Sequence, residues 1–99
     1  MRLAPYHRDQ LLQCIQRAVG DDCEVWLFGS RVDDQARGGD VDLLIRAQHP
    51  VQRKVWVEAE LAVKAERLLG GRHVDVILMD PATPISPFHQ EALRTGVAL

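Results

Sequence analysis

Between positions 40 and 46 the chain reads Asp-Val-Asp-Leu-Leu-Ile-Arg, and this run narrows the possible folds more than any other. Successive side chains of a strand point to opposite faces, so Val41, Leu43 and Ile45 fall on one side and Asp40 and Asp42 on the other. Aspartate is a poor strand residue. Two nevertheless occur in an otherwise apolar strand, and a third, Asp75, interrupts the apolar run Val74-Asp75-Val76-Ile77-Leu78. On the Asp-x-Asp spacing alone, an idle solvent-facing strand is the simpler reading. The apolar context turns the argument, because a carboxylate on a largely buried sheet needs a partner and three clustered carboxylates repel one another. A divalent cation answers both difficulties.

The rest of the chain supplies helices to cover such a sheet. A first helix is expected from about His7 to Val19, with Leu11, Ile15 and Ala18 or Val19 at helical spacing and Gly20 near its end. Glu24 to Phe28 is a short apolar run that stops at Gly29, the pattern of a central strand. The polar segment Arg31 to Arg37 fits a short helix capped by Ser30 and ended by Gly38-Gly39. Pro50 opens a long helical pattern reaching about Leu69, with Val51, Val55, Ala59, Ala62 and Leu69 near one face and Gly70-Gly71 as the stop. His73 to Met79 reads as a third strand. Pro81, Pro84 and Pro87 punctuate a loop before a last short helix, Phe88 to Arg94. The order implies an α/β (α+β) layer: a small mixed sheet with helices packed on it, within one domain spanning residues 1–99.

The 46% apolar and 26% charged fractions are ordinary globular values, so disorder and fibrous repeats are not indicated. No apolar run approaches the roughly 20 residues needed to cross a bilayer, and no secretory pattern opens the chain, which makes the cytoplasm the expected location. Cys14 and Cys23 form no C-x-x-C pair and are expected as reduced, buried thiols. A net charge of −2 with no basic block argues against long nucleic acids as direct partners. A small anionic substrate is still compatible, because local donors and a metal ion neutralise its phosphates.

Residues i and i+2 of a strand lie about 6.5 to 7 Å apart on one face, close enough for two carboxylates to converge on one or two hard cations. Mg²⁺ prefers a few carboxylates, water and substrate phosphate oxygens, which suits three aspartates without His or Cys ligands. Gly29 and Ser30 follow the first strand, where glycine permits close backbone approach and Ser30 offers a hydroxyl and an amide at a helix start. In isolation that pair is a turn and a cap. His73 shares the face of Asp75 and is read as a satisfied or exposed histidine. His7, His49 and His89 lack ligand spacing, and Arg37 and Arg46 are read as solvated. Trp26, Trp56 and Phe88 are read as core or interface residues, not as a base-stacking platform.

Taken together, Gly29-Ser30, Asp40-Val41-Asp42 and an apolar-flanked Asp75 resemble the nucleotidyltransferase superfamily that includes DNA polymerase beta, in particular its minimal (MNT) branch. The resemblance covers nearly the whole chain. It implies that Asp40, Asp42 and Asp75 are metal ligands and catalytic carboxylates, with two Mg²⁺ ions. It also implies that Gly29, Ser30 and Arg31 hold the triphosphate of ATP or another nucleoside triphosphate. The spacing from Gly-Ser to Asp is slightly short for the family and contains Gly38-Gly39.

Members of the branch are commonly paired with a small helical HEPN or substrate-binding-type protein, and some act as antitoxins by adenylylating it. Transfer of AMP to such a partner, in a hetero-oligomer, is therefore the leading expectation from resemblance. The competing reading is an antitoxin or regulatory subunit that neutralises its partner by contact. Transfer to an antibiotic or other small molecule usually requires an additional substrate domain.

Overall fold

A computed structural model describes residues 5–28 and 41–99. In chain order the elements are α1 (Pro5–Val19), β1 (Glu24–Phe28), β2 (Val41–Arg46), α2 (Lys54–Leu68), β3 (Val74–Met79), α3 (Pro87–Thr95) and β4 (Val97–Ala98). The strands form one sheet in the order β3-β2-β1-β4. β2 and β3 run parallel, while β1 is antiparallel to both β2 and β4. This is the expected small mixed sheet with helices. The two-residue β4 was not anticipated, since a pair so short carries no period of its own. Its pairing places Val97 opposite Leu27 and Ala98 opposite Trp26.

Strand alternation gives the sheet two different faces. Val25, Leu27, Val41, Leu43, Ile45, Val74 and Leu78 pack with Leu11, Ile15 and Val19 of α1 and with Leu61, Ala65 and Leu69 at α2. On the other face Phe28, Leu44 and Met79 pack with Ala92 of α3, and Trp26, Ile77 and Leu93 flank them. Leu43, Leu44 and Ile45 have no exposed surface, so β2 is buried from both sides and forms the centre of the fold. That explains the unbroken Leu-Leu-Ile run.

Helix α2 departs from expectation in its start and in its buried face. It begins at Lys54, not at Pro50, because Arg53 takes a left-handed conformation at φ 54°, ψ 49°. The preceding turn is anchored elsewhere: the backbone N–H of Val51 donates to Asp80 Oδ2 at 2.9 Å. Leu61 and Ala65 are its buried residues. Of the expected face, Val51 and Leu69 do pack on the core, whereas Val55 is 73% exposed, Ala59 is exposed and Ala62 is half-buried.

Smaller differences have equally local causes. α1 starts at Pro5, and Pro87 opens α3 instead of ending the loop. Ser86 caps α3, accepting from the backbone N–H of His89, while the His89 ring accepts from the N–H of Ser86. β3 begins at Val74, so His73 precedes the strand, although its carbonyl accepts from the N–H of Val41 at 2.8 Å. Cys14 and Cys23 are free thiols but only half-buried, and Trp56 is an exposed residue on α2. The expected helix from Arg31 to Arg37 lies outside the described residues.

Candidate active site

The parallel register of β2 and β3 sets Asp42 directly beside Asp75. Neighbouring strands are about 4.8 Å apart, and laterally paired residues project from the same face. That face is the one carrying Leu44, Ile77 and Met79, on which α3 packs. Each aspartate is the second residue of its strand, with Asp42 half-buried and Asp75 exposed. The third neighbour is Phe28, the antiparallel partner of Asp42 at the end of β1. Its ring meets Phe88 of α3 edge-on, with centroids 5.7 Å apart. An apolar wall thus flanks one side of the acidic pair.

A second set of groups surrounds Asp75. Nε2 of His73 stands 2.9 Å from Asp75 Oδ1, and its Nδ1 lies 3.7 Å from Glu66 Oε1 at the end of α2. An imidazole bridging two acidic groups restrains the orientation of the first. His73 is therefore an exposed, bonded histidine, as the sequence suggests. The contribution of Glu66 and the Phe28–Phe88 wall were not legible, because α2 and α3 reach this end of the sheet only through tertiary packing.

Of the residues singled out in the sequence, the structure brings Asp42 and Asp75 together. Asp40, Gly29, Ser30, Arg31 and Arg37 lie outside the described residues. Arg46 is at the far end of β2, where its Nε donates to Glu24 Oε1 at 2.9 Å and its guanidinium stands 5.2 Å over the Trp26 ring. It takes no part in the acidic cluster.

Among the described residues, no group of three His, Cys, Asp or Glu side chains is placed to hold a metal ion. The donor chemistry of Asp42 and Asp75 nonetheless fits a hard cation. Two oxygen-bearing side chains from adjacent strands share one face, and like charges so close are costly without a counter-charge. They would hold a divalent ion together with water and substrate oxygens.

Residues 8–96 match the family model described as a nucleotidyltransferase domain. No match was found among curated proteins. A solved structure whose description assigns it to the minimal nucleotidyltransferases is 25% identical, with a TM-score of 0.66, covering 95% of this chain and 90% of that one. Proteins of this family generally act on nucleoside triphosphates with divalent metals. The family match across residues 8–96, together with a shared fold whose sheet brings two of the expected carboxylates side by side, establishes that this chain belongs to the nucleotidyltransferase family as a minimal nucleotidyltransferase domain.

Proposed function

We propose that this domain transfers AMP from ATP to a hydroxyl group on a small helical partner protein of the HEPN type, and that the modification silences the partner as an antitoxin would. The observation that carries the catalytic part is the lateral pairing of Asp42 with Asp75 on one sheet face. Asp40, two residues before Asp42, would join them as a ligand, and Gly29, Ser30 and Arg31 would bind the triphosphate. Bound Mg²⁺, as one or two ions, neutralises triphosphate charge and makes the acceptor hydroxyl more acidic.

The acceptor oxygen forms a bond to the α-phosphorus of ATP, the bond to the β-phosphate oxygen breaks, and pyrophosphate leaves with that electron pair. Asp75 receives the hydroxyl proton. His73, 2.9 Å from Asp75 Oδ1, keeps that carboxylate oriented. The sharing of labour between strands explains why the pair must be held by a rigid ladder and not by a loop.

Mass spectrometry of the protein encoded beside this one, after co-expression, tests the reading. Addition of one AMP that requires ATP and Mg²⁺ is the expected result. A partner that binds and is silenced with unchanged mass would reject transfer and leave neutralisation by contact.

A further inference from the structure

Helices α1 and α2 pack on the sheet face opposite to Asp42 and Asp75, and a cleft of about 660 Å³ opens between them. That volume is within the range of small-molecule sites. Its walls are polar: Gln13, Cys14 and Arg17 come from α1, and Glu60, Lys64 and Arg67 from α2. Glu60 is already engaged, because the Lys64 ammonium donates to its Oε1 at 3.0 Å. That bond holds Lys64 above its ordinary pKa, while the nearby charge of Arg17 pulls the other way.

The two arginines set the cleft apart from the rest of the surface. Arg8, Arg46 and Arg94 each stand against a carboxylate, and Arg53 lies over the Trp56 ring. Arg17 and Arg67 have no carboxylate partner among the described residues, although the whole chain carries 14 acidic side chains against 12 lysines and arginines. Both occupy the last turns of their helices, where a cation suits the helix dipole. That role requires no cleft, and it does not explain why two unpaired guanidinium groups and a lysine line the same one.

We propose that this cleft binds an oligophosphate anion, of which inorganic pyrophosphate is the smallest. Arg17, Lys64 and Arg67 against Glu60 are three cations and one carboxylate, which leaves two positive charges uncompensated. A guanidinium fork matches phosphate oxygens bidentately, and forks carried by two different helices suit a ligand with more than one phosphate group. Among the described residues no aromatic ring lines the cleft, so a nucleobase finds nothing to stack on and the phosphate chain is the part recognised. The site differs in kind from the acidic pair: cationic side chains hold phosphate without a metal, whereas two carboxylates repel it unless a cation is bound. It therefore stands independently of the proposed reaction.

Isothermal titration calorimetry with phosphate, pyrophosphate and tripolyphosphate in the presence of EDTA separates the cleft from the acidic pair. The expected result is one saturable site per chain that tightens as the phosphate chain lengthens and weakens with added salt. Arg17→Gln and Arg67→Gln should each raise the dissociation constant about tenfold with circular dichroism unchanged. Glu60→Gln should lower it, Arg94→Gln should leave it alone, and ATP should bind no more tightly than tripolyphosphate. No binding without metal overturns the proposal, as does binding indifferent to Arg17→Gln and Arg67→Gln. A preference for ATP over tripolyphosphate, or binding of polyglutamate in place of the phosphate chains, overturns it equally.

Discussion

Glu58, in the second turn of α2, accepts a hydrogen bond through Oε2 from the backbone N–H of Leu78 at 2.7 Å. β3 is an edge strand of the sheet, and among the described residues no further strand pairs with its outward N–H groups. One helix side chain thus satisfies an edge donor and ties α2 to the strand that carries Asp75. Replacing Glu58 with Ala leaves that donor without its partner. A loss of about 1–3 kcal/mol in urea unfolding is expected.

The rotation of α2 makes opposite predictions for two apolar residues of one helix. Leu61→Ala removes a fully packed side chain and should cost roughly 2–5 kcal/mol. Val55→Ala, on the exposed side, should change the stability of dilute protein by less than about 0.5 kcal/mol. Chemical unfolding of both variants compares them directly. Equal costs would contradict the placement of the helix.

Asp80 predicts an acid-sensitive contribution to stability. The N–H of Val51 holds its carboxyl below the ordinary value, helped by the Thr83 hydroxyl, the N–H of Ala82 and the charge of Lys54. A depressed folded-state pKa means that the unfolded chain binds the proton more readily. The stabilisation is therefore complete above the unfolded value of about 3.9 and disappears as pH falls through the lower folded value. Wild type should exceed Asp80→Ala in urea midpoint at neutral pH, with the difference shrinking below about pH 4.

His73 is expected to act through Asp75. Its Nε2 bonds the carboxylate at 2.9 Å, and removal of such a supporting group typically costs 10–100-fold in metal affinity or activity. His73→Ala should shift the Mg²⁺ dependence of nucleotide transfer to higher concentration by roughly tenfold. Thermal unfolding of the exposed site should change little.

Much of this arrangement could be read from the chain because local chemistry decides it. The apolar alternation of β2, interrupted by Asp42, specifies which side faces the larger core, and β1 spans Glu24–Phe28 as expected. The middle of the α2 face was read wrongly for a physical reason, while Val51 and Leu69 pack on the core as expected. Val55, Ala59 and Ala62 share helical spacing just as Val57, Leu61 and Ala65 do, and only packing against β3 distinguishes the stripes. The start of α2 depends on Asp80, nearly thirty positions later, through the Val51 bond. The pairing of Asp42 with Asp75 likewise required strand order, which one sequence does not contain.

The central claim is that Asp42 and Asp75 act together on one cation during nucleotide transfer. Its most direct test is the rate of labelled AMP transfer from ATP and Mg²⁺ to the co-expressed partner, measured for wild type, Asp42→Asn and Asp75→Asn at matched folding. Each substitution should lower the rate by roughly 100-fold or more, as loss of a charge-stabilising group does. Transfer at the wild-type rate by either variant would contradict the account.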